Sequence, residues 1–288
     1  VGIDVNTVIF QLFNGLVWGC MMGLVALGLA LIFGQMGVVN MAHGEFYMVG
    51  AVGAYLFVAS LGLNFWISIL LVAAAMAVLG AVLERGVMRP FEGKAAPSMV
   101  AALGLSFIIQ QLALITLGGA AKQTPSPISG VVALGDFRFP TYRLVVALVA
   151  LALIGLCWLL IQRTRFGMAV RACMRDPQTA AEMGINTGLV SMSTFGLGTA
   201  MAGVGGALAA PISQVFFLMG QDVIAFAFIA VIVGGLGSLQ GALVAAIALA
   251  VVEGLLTIVL SPALARASVF LIMTVVLVFR PRGLFGKR

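Results

Sequence analysis

Nine apolar stretches follow one another along the chain, separated by polar gaps. They run Val8–Phe33, Gly44–Ser60, Phe65–Leu83, Ser98–Leu117, Leu144–Ile161, Leu189–Ala210, Asp222–Gly234, Gln240–Leu260 and Ala267–Phe279. Most approach the roughly 20 helical residues that cross a hydrocarbon core. They lack the ten-residue alternation of a membrane strand, and they are rich in Ala, Leu, Val and Gly. Each is therefore predicted to be a helix. The first run is too long for a signal-peptide core and has no basic stretch before it, so it reads as a retained span. Asp222–Gly234 is short, and the GGLGS at Gly234–Ser238 predicts a broken helix there. The last run is also short and reads as tilted or partly re-entrant. The fold class is all-α: a polytopic transmembrane helix bundle of about eight to ten spans or re-entrant segments, forming one integral-membrane domain over residues 1–288.

Composition agrees with the pattern. Of the 288 residues, 62% are apolar and only 8% charged, and the mean hydropathy is +1.21. A soluble domain carries about 25% charged residues, so this surface needs lipid. Thirty-six glycines suit close approach of helix backbones inside a membrane bundle. Cys20, Cys157 and Cys173 show no disulfide spacing.

The net charge of +6 is concentrated beside the apolar runs rather than spread as a nucleic-acid footprint. Arg85, Arg89 and Lys94 follow the third run. Arg163, Arg165, Arg171 and Arg175 follow the fifth, and Arg280, Arg282, Lys287 and Arg288 form the tail. The positive-inside rule puts these gaps in the cytoplasm. Nine spans then place the N-terminus outside and the C-terminus inside; one re-entrant segment would move the N-terminus in. Residues 118–143 carry Pro125, Pro127 and Pro140 and an alternating stretch at Val131–Phe139. They are predicted to be an extracytoplasmic, extended or hairpin-like loop.

The gap at 163–188 is too elaborate for a connector. Phe166, Ala169, Val170 and Cys173 recur at helical spacing among Arg165, Arg171 and Arg175, which predicts an amphipathic helix at the membrane surface. Asp176-Pro177 is a strong helix start. Gly184 is a stop. A two-turn helix over Pro177–Met183 follows, with Ala180 and Ala181 offering a small, smooth surface. These features fit an ordinary capped interfacial helix and, equally, a coupling helix seated in a groove of a partner ATPase.

What the chain lacks narrows its chemistry. Gly93-Lys94 and Gly286-Lys287 are not followed by the Ser or Thr of a phosphate-binding loop. One histidine excludes His–His haem ligation and an HExxH zinc site. The acids inside apolar runs are Glu45, Glu84, Asp222 and Glu253, too few and scattered for a proton relay. Energy for any transport must come from another subunit.

Several polar or flexible positions are candidates for a translocation path. Asn40, His43 and Glu45 sit between the first two runs; they line a path, or they satisfy a tight polar turn that holds Gly44. Gln110 and Gln111 lie within the fourth run and are expected to bridge to a neighbour, at the path or in packing. Gly234, Gly235 and Gly237 shape a pore, or permit close helix packing. Asp222 and Glu253 read as span-end caps or pairs.

The order Ala172…Asp176…Ala180-Ala181-x-x-Gly184-Ile185-Asn186 resembles the cytoplasmic loop of ABC-importer permeases. Leu27–Tyr55, with its NMAHGEF block, resembles the N-terminal signature of the branched-chain amino acid permease family. Ala227–Ala246 and the tail Phe279–Arg288 resemble that family too, and the likeness is collinear over nearly the whole chain. It implies a non-enzymatic importer subunit in a bacterial inner membrane. Two permeases, a related pair rather than two copies, would form the path. Two cytoplasmic ATPases would bind the ATP and magnesium, and an extracytoplasmic binding protein would deliver the cargo. The coupling positions implied are Arg171, Asp176, Ala180, Ala181, Glu182, Gly184 and Ile185. Branched-chain or other amino acids lead as cargo, with urea or short amides next. A stand-alone transporter or channel and a non-transporting membrane anchor are the rivals.

Overall fold

Local capping starts most of the helices. Asp4 accepts from the Asn6 amide and opens α1 (Val5–Met36). After α2 (His43–Tyr55) and a π-helical turn at Leu56–Ser60, Asn64 caps α3 (Phe65–Leu83). π-Helical and 3-10 turns then lead to α4 (Ala95–Leu117). An antiparallel hairpin of β1 (Val131–Leu134) and β2 (Phe137–Pro140) pairs Val131 with Pro140. It precedes α5 (Thr141–Arg163). Two short helices follow, α6 (Arg165–Arg175) and α7 (Pro177–Glu182). Asn186 caps α8 (Thr187–Ala209). The last three are α9 (Met219–Gly234), α10 (Leu239–Leu256) and α11 (Pro262–Phe279). This computed structural model describes residues 4–134 and 137–286.

All nine predicted segments are helical. Six helices among the described residues are long and apolar enough to cross a membrane: α1, α3 with its extension, α4, α5, α10 and α11. The other three fall short for different reasons: α8 has 23 residues but is rich in Gly, Ser and Thr, whereas α2 and α9 have only 13 and 16. The last segment is longer than predicted, because Ser261 caps it and Pro262 occupies its first turn. It has 18 residues, as α10 does.

α1 runs through the centre and is mostly buried, whereas α11 is mostly exposed. The exposed faces of α3, α4, α5 and α11 carry Leu70, Ile115, Leu148 and Val278. A surface of this kind requires a lipid solvent.

The helices form two related halves, which the sequence reading did not anticipate. α10 lies along α1 and α3 lies along α8. α1 and α8 cross antiparallel at Gly28 and Gly198, where a Cβ added to either would stand 2.7 Å from the other's carbonyl oxygen. α2 and α9 meet reciprocally at Gly44 and Gly220. Helices α1–α4 therefore correspond to α8–α11 in the opposite orientation, an inverted repeat, with α5–α7 between them.

The three basic gaps occupy one end of the bundle. Arg89 donates to the Gly188 carbonyl at 2.7 Å. The Gly93 amide bonds the Met36 carbonyl at the end of α1. Gly34 lies against Met174, and the tail is tied to α9 through Leu284 to Val233 and Phe285 to Gly234. The start of α1 is at the other end, where Asn14 accepts from Arg143 and Gln11 neighbours Pro262.

Candidate functional site

The gap at 163–188 folds as two helices set at a corner. Thr164 caps α6 through the Gly167 amide (3.1 Å) and donates back to the Leu160 carbonyl. Arg171 donates to the Ile161 carbonyl at the end of α5. A cation there satisfies an orphan carbonyl and the negative end of the helix dipole. Arg171 thus holds the α5–α6 corner and is only partly open to a partner. The apolar face of α6 points inward with Val170 and Cys173 buried, while Arg163, Arg165 and Arg175 are exposed.

Asp176 starts α7 as its sequence implies. Its carboxylate accepts from the amides of Gln178 (3.0 Å) and Thr179 (3.1 Å) and from the Thr179 hydroxyl (2.6 Å). Hydrogen bonding to Thr179 holds this carboxyl below its ordinary range. At the other end Gly184 adopts φ +83, a left-handed conformation that suits a residue without Cβ. The Ile185 amide then reaches the Ala180 carbonyl and the Gly184 amide reaches that of Ala181, a Schellman closure. Ala180 is buried against the protein, so it anchors α7 rather than presenting it. Ala181, Glu182 and Met183 are the exposed positions, Met183 at 80%.

A second polar region lies inside the bundle. After α1 the chain turns back, and the Asn40 carboxamide accepts from the Ala42 amide at 3.1 Å. His43 Nε2 is 3.1 Å from the Val25 carbonyl, well before the end of α1. Glu45 Oε1 accepts from Ser106 (3.1 Å) and Gln110 (2.7 Å), and Gln110 Oε1 faces Gln221 Nε2 at 3.5 Å. The cluster thereby ties α2, α4 and α9 together. Asn40 Nδ2, His43 Nδ1 and Glu45 Oε2 are buried without partners, an uncommon concentration of unsatisfied groups. Gln111 is not part of it. One residue on from Gln110, it is turned outward and exposed.

Gly234, Gly235 and Gly237 form the turn from α9 to α10 at the basic end. Gly235 has φ +105 and backs onto Gly286 of the tail; Gly234 packs on the backbone of Gly241. Gly237 borders a cavity of about 640 Å³ with Arg171, Arg175 and Phe285. The turn therefore lies beside α6 rather than among the residues around Glu45.

Several partners escaped the sequence reading. Ser106, four residues before Gln110, shares its helix face. Gln221 holds in α9 the place that Glu45 holds in α2, a cue visible only once the repeat is known. Glu84 pairs with Arg89 at 3.0 Å. Asp222 and Glu253 do pair at span ends, and their common partner is Arg266, at 3.0 and 3.7 Å.

Comparison with known proteins gives the family. Residues 11–279 match the family model described as "Branched-chain amino acid transport system / permease component". The chain belongs to the branched-chain amino acid transport permease family. The permease is 32% identical over 301 residues to the high-affinity branched-chain amino acid transport system permease protein LivH of Salmonella typhimurium, covering 96% of this chain and 95% of that one. It is 30% identical to the corresponding protein BraD of Pseudomonas aeruginosa, with the same coverage. Against the probable permease LivH of Methanocaldococcus jannaschii identity is 28%, over 95% of this chain and 91% of that one. No solved structure matches it. The permease is a multi-pass membrane protein and the transport component of an ABC system, not an enzyme.

Proposed function

We propose that this permease is one of two related membrane halves of an ATP-driven, binding-protein-dependent importer of branched-chain amino acids, in a bacterial inner membrane. Residues 163–188 dock on one of two cytoplasmic ATPases, which bind ATP and magnesium. The hairpin-bearing segment 118–143 faces an extracytoplasmic binding protein. The observation that carries this reading is α7: a rigidly capped element, anchored by Ala180, that offers Ala181, Glu182 and Met183 at the same end as the basic gaps. That end is then cytoplasmic, with the tail inside and the start of α1 outside.

ATP-driven closure of the ATPases would push α7, and the α5–α6 corner held by Arg171 passes that push to the spans. The Asn40–Glu45 turn, with Gln110, is the buried frame on which α2 and α9 meet, and the Gly234–Gly237 turn lies at the inner mouth. Substituting Trp for Ala181 or for Gly184 should strip the ATPases from the purified complex and abolish uptake, while membrane insertion persists. Co-purification of the subunits from membranes measures this; full ATPase association by both variants would rule the docking site out. Titration of the cognate binding protein with leucine, isoleucine, valine and urea decides the cargo class.

A further inference from the structure

Two cavities adjoin along α9, and a third opens just past its end. At the end remote from the basic gaps, a cavity of about 100 Å³ is lined by Trp18, Asp222, Ala225, Glu253, Arg266 and Phe270, among others. Ala225, Ile229 and Phe270 also border a groove of about 560 Å³ whose exposed lining is entirely apolar. That groove runs past Phe33 and Met99 to Leu236, and Leu236 borders the third cavity, beside Arg171, Arg175 and Gly237. The three cavities follow one another through shared lining residues from the remote mouth to the basic end, and α9 borders the first two. α9 is also one of the two short apolar helices at corresponding positions of an inverted repeat, the arrangement that marks the binding region in transporters built this way.

The remote mouth has a specific charge arrangement. Arg266 Nη1 pairs with Asp222 at 3.0 Å and its Nε faces Glu253 Oε1 at 3.7 Å. Two carboxylates share one guanidinium. Glu253 Oε2 is buried and has no partner, and a guanidinium has five donors, of which these pairs engage only some. The trio therefore keeps one unmet acceptor buried beside the mouth, with spare donors on Arg266 next to it. An ammonium and a carboxylate on one carbon satisfy both, with no net charge brought in. The apolar groove next to the mouth suits an aliphatic side chain and gives a polar cargo such as urea nothing to bond.

We propose that this succession of cavities marks the permease's wall of the translocation path, and that Arg266 and Glu253 hold the carboxylate and ammonium of an aliphatic amino acid as it enters. Asp222 is a positioning residue that fixes Arg266. The inference rests on the amino-acid importer reading above, and the second permease closes the open side of the groove.

The test uses the importer assembled with its ATPases and binding protein in liposomes, with labelled leucine uptake as the readout. Glu253→Gln removes the ionic partner of the ammonium. Ala225→Trp leaves all three charges in place and plugs the passage from mouth to groove. Each should lower uptake roughly tenfold or more, the loss expected for one charge-assisted contact or a blocked path. Gly104→Ala, on an exposed face with nothing near its Cβ, should transport as the unaltered protein does. Wild-type uptake by either variant overturns the proposal and points to a groove filled by lipid chains. Failure of Glu253→Gln to assemble also overturns it, since the trio is then a structural clamp. An unaltered importer that moves no aliphatic amino acid fails differently: it refutes the cargo reading itself.

Discussion

Glycine contacts show how little room single positions leave in this bundle. A Cβ on Gly44 runs into the Gly220 carbonyl and the Ile224 side chain, and one on Gly50 runs into the backbone of Gly203. Gly44→Leu should destabilise the purified protein by about 1–3 kcal/mol or more, as overpacking does. Gly104→Leu on the exposed face of α4 should be nearly silent, and thermal unfolding in detergent compares the two. Asn40, His43 and Glu45 were legible in the sequence because polar groups stand out in an apolar run. Their partners were not. Ser106, Gln110 and Gln221 come from helices far along the chain, and no local pattern states which helices will touch. For the same reason Gln110 and Gln111 read alike in sequence, and only packing separates the buried amide from the exposed one.

At the scale of elements, α7 was the most legible, because capping is decided within a few residues. Asp176, Pro177 and Gly184 state its start and stop without reference to the rest of the chain. The Asp176 carboxyl is held below its ordinary range by the Thr179 hydroxyl and backbone amides. A lowered folded value means the cap is fully present above the ordinary aspartate pKa of about 3.9. It is lost as pH falls through the lower, folded value. Association of the ATPases should therefore be insensitive to pH from neutrality down to about pH 4 as far as this cap is concerned. Asp176→Ala should weaken association throughout that range, as measured by pull-down. α2 and α9 were the least legible elements. Gly44–Ser60 read as an ordinary span and Asp222–Gly234 as a short one before a broken helix, and the Gly44–Gly220 contact that joins them is something hydropathy does not record.

At the scale of the whole molecule, the charge pattern predicted more than the spans did. The basic gaps after the third span, after the fifth and at the tail lie together at one end. Their sharing of an end was legible because the positive-inside rule acts on short loops. A cysteine at the exposed Met183 should react with a membrane-impermeant maleimide only in inverted vesicles, and one at the exposed Ser126 only in intact cells. The native cysteines are all buried, so background labelling should be low. The halves themselves were hidden, since their likeness lies in helix placement rather than in repeated residues. α5 decides how they are related. The first four-helix unit starts and finishes at the same end of the bundle, and one further crossing carries the chain to the other end before the second unit begins. Any odd number of crossings there would serve, and an even number would set both units facing the same way. The Gly28–Gly198 and Gly44–Gly220 contacts, which need opposed directions, would then have no counterpart. The two halves can therefore face each other across these glycines only because one helix, α5, turns the second against the first.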